Sequence, residues 1–228
     1  MPDPDHPLDR PVWSALTSRW SPLAQRSGGA LRLAPDYGPF AASADLTTPS
    51  LQELAAFELG GAGLDLVETA PVEPPAGMSV GRQAPVVQMM ARQVTPPAPD
   101  FQVVALTDAD AAEMLALAQL TQPGPFAART HRLGAFIGVK HAGRLVAMAG
   151  ERMNPAGFTE VSGVCTHPDH RGRGYAGALM RLVARGILDR GETPFLHVYE
   201  TNTGAIALYR KLGFEVRRTL VLTVLQRG

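Results

Sequence analysis

Only one cysteine, Cys165, occurs in the chain, so neither an internal disulfide nor a cysteine-based zinc cage can form, and a reducing cytoplasm is the expected setting. No metal site is expected. Runs of about 18 or more apolar residues are also absent, which excludes a membrane-spanning helix. The opening Met1-Pro2-Asp3-Pro4-Asp5 lacks the basic start and apolar stretch of a secretory signal. There is no net charge, 21 Lys and Arg against 21 Asp and Glu, and no basic run interleaved with aromatics, so nucleic acid is not an expected partner. The Gly-Lys-Ser/Thr ending of a P-loop is missing, which argues against a nucleotide enzyme of that kind.

What is present is material for a core and for many turns: 45% hydrophobic residues, 23 Gly and 20 Pro among 228. Charge is unevenly placed. Residues 1–100 hold 6 Lys and Arg against 11 Asp and Glu, whereas 101–228 hold 15 against 10. The C-terminal excess suits a polyanionic small ligand.

Residues 1–11 are rich in proline and without apolar periodicity, and are expected to be a flexible tail. Residues 12–94 mix short apolar stretches with breakers and are expected to form a smaller α+β domain. Leu51, Leu54, Ala55 and Leu59 have helical spacing behind Ser50, a candidate N-cap, while Leu64–Val67 and Val86–Met90 have the look of strands. Residues 95–100, with three prolines in Pro96-Pro97-Ala98-Pro99, can continue neither a helix nor an inner strand and are expected to be a linker. From 101 onward, elements alternate. A strand at Phe101–Leu106 leads to a capping box at Thr107 and Asp110 and then a helix. Strands at Phe136–Lys140, Leu145–Met148 and Thr159–Thr166 form a meander, the first two joined at Ala142-Gly143. A helix from Tyr175 ends at Gly191, a strand at Phe195–Tyr199 follows, and Asn202 opens a last helix that closes at Gly213. Phe214–Leu225 supplies one or two final strands. The order predicts a mixed α/β (α+β) sheet with helices on both faces.

Gly163 to Ala176 is the segment richest in chemistry. An apolar strand runs into Arg171-Gly172-Arg173-Gly174, which opens a helix. Small residues let the backbone approach a ligand, the first-turn amides have no intrahelical acceptor, and the helix dipole adds roughly half a positive charge. Such a turn suits a phosphate or diphosphate.

Two motifs together resemble those of the GNAT-type, coenzyme A-dependent N-acetyltransferase superfamily, most closely its bacterial branch near the glycine N-acyltransferase-like proteins. One is Arg171-Gly172-Arg173-Gly174-Tyr175-Ala176 after its strand and Pro168. The other is Asn202-x-x-Ala205-x-x-x-Tyr209-x-x-x-Gly213-Phe214. The resemblance covers about residues 101–228, and some relatives carry a degenerate acyltransferase-like half ahead of the active one, which residues 12–94 could be. It implies a splayed sheet, with the strands of Val164 and Val198 parted and the pantetheine arm between them as an added strand would lie. It implies acetyl-CoA as acyl donor, its diphosphate on the amides of Arg173, Gly174 and Ala176. Thr166, Arg171, Gly172, Tyr175, Asn202 and Ala205 are the other expected cofactor contacts. Val164 N–H would stabilise the oxyanion, Tyr209 would stand beside the sulfur as proton donor, and Glu160, eleven residues before Arg171, is the candidate general base.

The bland readings stand beside these: Tyr209 as core, Glu160 as a solvated strand carboxylate, His197 as structural, Cys165 as a small buried residue. Arg129, His131 and Arg132 follow the first helix of the domain, where the family places acceptor contacts, and with His197 they are the candidate acceptor residues; the cationic stretch from Arg129 to Arg132 would suit an acceptor bearing a carboxylate. The expected activity is direct acetyl transfer to a primary amine of a small molecule or amino acid, by a monomer or homodimer. The alternatives are a protein or peptide N-acetyltransferase and a catalytically inactive CoA-binding regulatory module.

Overall fold

Local chemistry decides most elements. Ala142 and Gly143 both hold positive φ, 49° and 78°, the paired left-handed conformations that join two antiparallel strands tightly. Thr107 and Asp110 form the expected capping box, which starts a short 3₁₀ turn running into a helix. Asn202 accepts from the Ala205 N–H at 3.1 Å and so caps the last helix. A computed structural model describes residues 6–59, 63–95 and 99–228. Among them the chain forms α1 (Pro11–Leu16), β1 (Ala24–Ser27), β2 (Ala30–Leu33), β3 (Ala41–Ser43), α2 (Thr48–Gln52), β4 (Leu64–Glu68), β5 (Met78–Met90), β6 (Val104–Leu106), α3 (Ala111–Thr121), β7 (Phe136–His141), β8 (Arg144–Glu151), β9 (Phe158–Thr166), α4 (Tyr175–Asp189), β10 (Thr193–Tyr199), α5 (Thr203–Lys211) and β11 (Glu215–Arg227).

β1, β2 and β3 make a small antiparallel sheet. The main sheet has eight strands in the order β4-β11-β5-β10-β9-β8-β7-β6. Its pairs are antiparallel except β9 with β10, which run parallel. Helices lie on both faces, as the sequence implies. α4 and α5 cover one, over Val87, Met89, Leu196 and Val198. On the other, α3 packs over Met148 and Cys165, and the N-terminal segment packs Leu8, Val12, Leu16 and Trp20 with Val86, Phe195 and Leu220.

Of the one or two final strands expected, the chain forms one, the 13-residue β11. Two expectations change. Between β10 and β11 lies β5, which pairs with both. Strands from either side of residues 95–100 therefore share one sheet, so 12–94 completes that sheet instead of standing apart; of the expected linker, residues 96–98 lie outside the described residues. The tail is also tied down from residue 6 on, residues 1–5 being outside the described range. Leu8 is fully buried, its carbonyl accepts from Gln88 Nε2 at 2.9 Å, and Asp9 pairs with Arg217 and Arg218 at 2.6 and 2.7 Å. Among the described residues no helix is long and apolar enough to cross a membrane.

Candidate functional site: a parted strand pair and a glycine turn

β9 and β10 pair only from Thr193 opposite Phe158 to Phe195 opposite Glu160. Beyond that point β10 follows β5 to Tyr199 and β9 follows β8 to Thr166, so the two strands part as a wedge. A bulge in β9 re-aims its backbone there. Ser162 and Cys165 pair with Gly150 and Met148, which sets Gly163 and Val164 against Ala149 alone. Gly163 has φ 62°, and a Cβ on it would stand 2.8 Å from the Phe136 ring. Only glycine fits that position.

After Thr166, Pro168–His170 make a 3₁₀ turn and the chain enters α4 through Gly172 and Gly174, both at φ 77°. Gly174 is the N-cap and offers no side chain to the first amides. The first helical bond is Ala178 N–H to Gly174 C=O, 3.1 Å, so the amides of Tyr175, Ala176 and Gly177 have no acceptor within the helix.

The β9 side of the wedge and the turn meet in one cavity of about 570 Å³. Val164, Thr166 and every residue from Arg171 to Ala176 line it, which brings together the expected cofactor contacts of β9 and the turn. Further lining residues were not among the expected contacts, His170, Arg181 and Leu208 among them. Arg181 stands seven residues, about two helical turns, past Gly174, and that periodicity was the available signal. Three polar atoms bordering the cavity, Thr166 Oγ1, His170 Nδ1 and Arg181 Nε, are buried without a hydrogen-bond partner. With Arg171 and Arg173 beside the open helix end, these residues fit the diphosphate and arm of coenzyme A. Desolvation, then Arg173 and the neighbouring His141 and His167, pull the His170 pKa down.

α5 contributes less than expected. Leu208 and Leu212 reach the cavity lining, whereas Asn202, Ala205 and Tyr209 are not among its lining residues. Asn202 serves as the cap, and Ala205 and Tyr209 pack on the α4-side core. Burial pushes the Tyr209 phenol up, and its hydroxyl makes no hydrogen bond to a described residue.

Glu160 is not a solvated carboxylate. It is 1% exposed and takes two bonds from Arg152, at 2.9 and 3.0 Å, and one from His197 Nδ1 at 2.9 Å. Burial alone would raise its pKa, but Arg152 and His197 outweigh burial and hold it at about 2. So weak a proton acceptor is poorly suited to be a general base. Its part is to orient His197. Arg217 donates to Gln88 Oε1 at 3.0 Å, which turns the Gln88 amide nitrogen toward His197 Nε2, 3.0 Å away. Nε2 therefore accepts and Nδ1–H donates to Glu160.

The candidate acceptor cations are engaged elsewhere. His131 and Arg132 both hold Asp108, at 2.8 and 2.5 Å, and Arg129 lies 3.8 Å from Asp36; none lines the cavity. Cys165 is buried and its thiol is pushed up by that burial to about 11, as fits a packing residue. Among the described residues no group of His, Cys, Asp and Glu could hold a metal ion.

Comparison with known proteins agrees with this geometry. The FR47-like protein family matches residues 136–222, from β7 into β11. Curated relatives include acetyltransferases of Yersinia pestis and Yersinia pseudotuberculosis, 40% identical over 58 residues; the match takes in 25% of this chain and only 40% of theirs. A crystal structure of an acetyltransferase of the GNAT family from Novosphingobium aromaticivorans is 49% identical, covering 98% of this chain and all of the other, with a TM-score of 0.91. A GCN5-related N-acetyltransferase from Kribbella flavida shares the fold at 20% identity, with a TM-score of 0.62 over 92% of this chain and 93% of its own. A relative this similar over its full length places the chain in the GNAT family.

Proposed function

We propose that the protein transfers an acetyl group from acetyl-CoA directly to the primary amine of a small molecule or amino acid. One observation carries this reading: the cavity that joins the unpaired first-turn amides of α4 to the backbone of Val164 in the wedge. Bound acetyl-CoA would supply an activated thioester. The amides of Arg173, Gly174 and Ala176 hold its diphosphate, with Arg171, Arg173 and Arg181 balancing the charge. The bulge at Gly163 gives Val164 N–H its separate direction, suited to an oxyanion; losing one such donor typically costs about 2.7–4 kcal/mol of barrier. Tyr209, whose phenol burial pushes up, packs against the core beside the lining residue Leu208 and outside the cavity lining; it is the proton donor this reading assigns to the departing thiolate. An alkyl ammonium ionises near pH 10.4, and with Glu160 committed to Arg152 the amine enters as its neutral minority form.

Calorimetry with acetyl-CoA on the parent protein and on Gly174→Val, followed by an acetyl-CoA consumption screen over monoamines, polyamines, amino acids and peptides, tests this. Micromolar binding weakened by the substitution, with transfer to a small amine, is the expected result. Turnover with peptides alone would reassign the acceptor class. Binding without turnover would leave a CoA-binding module, and no binding would remove the reading.

A further inference from the structure

Three of the six histidines in the chain meet beside the glycine turn. The His170 ring lies 5.1 Å from that of His141, at the end of β7, and 5.8 Å from that of His167, just past β9. The 3₁₀ turn between them fixes this arrangement. His170 N–H donates to His167 C=O at 2.9 Å, and His167 Nδ1 accepts the Asp169 N–H at 3.3 Å. That bond takes the His167 Nδ1 lone pair, so His167 is held neutral. His170 is the one of the three that lines the cavity. Its Nδ1 is buried with no hydrogen-bond partner among the described residues.

The groups that face His170 are mostly cations or bases that could become cations. From the hairpin comes His141, with Arg144 opposite it in the ladder. From the helix entry comes Arg173, and Arg171 and Arg181 border the same cavity. Asp169 is the one acid that pulls the other way, and its side chain is 82% exposed, so solvent and salt screen it. Desolvation, then Arg173, His141 and His167, therefore keep the His170 pKa below the ordinary imidazole range. A diphosphate reverses that field. It carries negative charge and offers acceptor oxygens, for which a charged N–H is the stronger partner. Two imidazoliums with rings 5.1 Å apart would repel, so the cluster has room for one added proton.

We infer that His170 binds the diphosphate of the acyl donor as an imidazolium, taking up a proton from solvent as the ligand enters, so that affinity for coenzyme A falls as pH rises through neutrality. This rests on the acyl-transfer reading of the same cavity. The bound state holds the extra proton, so binding tightens as pH falls and levels off once the free His170 is itself protonated. One unit between the free and bound pKa corresponds to a tenfold change in affinity.

Calorimetry of CoA and dephospho-CoA in two buffers of different ionisation enthalpy counts the protons taken up. Dephospho-CoA lacks the phosphomonoester, whose second ionisation lies at about 6, so any uptake with it belongs to the protein. Near neutral pH the parent is expected to take up a measurable fraction of one proton with either ligand. Its affinity should fall on the order of tenfold between about pH 6 and about pH 8. His170→Gln should lose both the uptake and the slope. His170→Lys, charged throughout this range, should bind without uptake and keep its affinity at the upper end. No uptake in the parent, or a slope that survives in His170→Gln, overturns the inference and leaves the acyl-transfer reading in place. If His170→Gln fails to fold, the His170 ring resonance of the parent, titrated with and without CoA, decides. A pKa raised by about one unit supports the inference, and an unmoved one overturns it. If CoA binds at no pH, the acyl-transfer reading itself fails and the inference falls with it.

Discussion

Glu160 and Asp65 lie on one face of the sheet and are both buried carboxylates, but their surroundings shift them in opposite directions. Glu160 is held at about 2 by Arg152 and His197, below an ordinary 4.5, so its stabilising contribution is complete above about pH 4.5 and is lost as pH falls toward 2. Asp65 is raised to about 6 from an ordinary 3.8, so its ionisation opposes folding; that cost is absent below about pH 3.8 and complete above 6. Asp65→Asn should therefore raise stability at pH 7.5 by about 1–3 kcal/mol, with the gain vanishing near pH 4. Thermal unfolding of both proteins across that range reads it, and a constant difference at all pH values would contradict the assignment. Glu160→Gln should do the reverse, costing about 3–5 kcal/mol at pH 7.5 because Arg152 is left buried and unpaired. Tyr209→Phe removes a hydroxyl that bonds to no described residue, so folding should be unaffected. If that hydroxyl serves the leaving thiolate, kcat should drop on the order of a hundredfold while calorimetric acetyl-CoA affinity holds; an unchanged kcat would return Tyr209 to the core.

Turn chemistry and periodicity made the elements readable, since both are local. Gly172 and Gly174, alternating with Arg171 and Arg173, announced a helix entry built for an anion, and α4 with its amides follows from them. Ala142-Gly143 announced the hairpin for the same reason. The bulge in β9 was hidden, because Gly163 inside an apolar run reads simply as a weak strand position, and only pairing with β8 shows that it shares Ala149 with Val164. Its role can be checked directly. Gly163→Ala must place a Cβ at φ 62°, 2.8 Å from the Phe136 ring, which should cost about 1–3 kcal/mol. If the bulge aims Val164 at the thioester, this variant should also lose kcat beyond what its unfolded fraction explains. A loss of stability with full activity per folded molecule would separate the bulge from the chemistry. Asp65 was hidden too: within Leu64-Asp65-Leu66-Val67 it reads as the outward residue of an alternating strand, yet it is buried, with the segment of Pro39 and Phe40 bridged to its backbone.

Strand order is the level at which local pattern has least to say, because nothing in Met78–Met90 specifies that it will lie between two strands more than a hundred residues later in the chain. The Pro-rich run at 95–100 reads as a boundary since proline can continue neither helix nor inner strand. Here it marks only a crossing, after which the chain resumes the same sheet at its far edge. The consequence is a demanding one for folding. β5 supplies the ladder for β10 on one side and for nearly all of β11 on the other, and its Val87 and Met89 lie in the core under α4. Its Gln88 also anchors His197 at the wedge. A fragment of residues 101–228 should therefore fail to fold, leaving β10 and β11 with open edges and an uncovered apolar face. Circular dichroism and dye binding on the isolated fragment should show a collapsed, non-cooperative state. Adding a separately expressed segment of residues 6–95 should restore a cooperative transition and acetyl-CoA binding together. A fragment of 101–228 that melts cooperatively and binds acetyl-CoA alone would show that β5 is an accessory to the wedge, and the parting of β9 from β10 would then have to be held by the bulge at Gly163 without help from across the sheet.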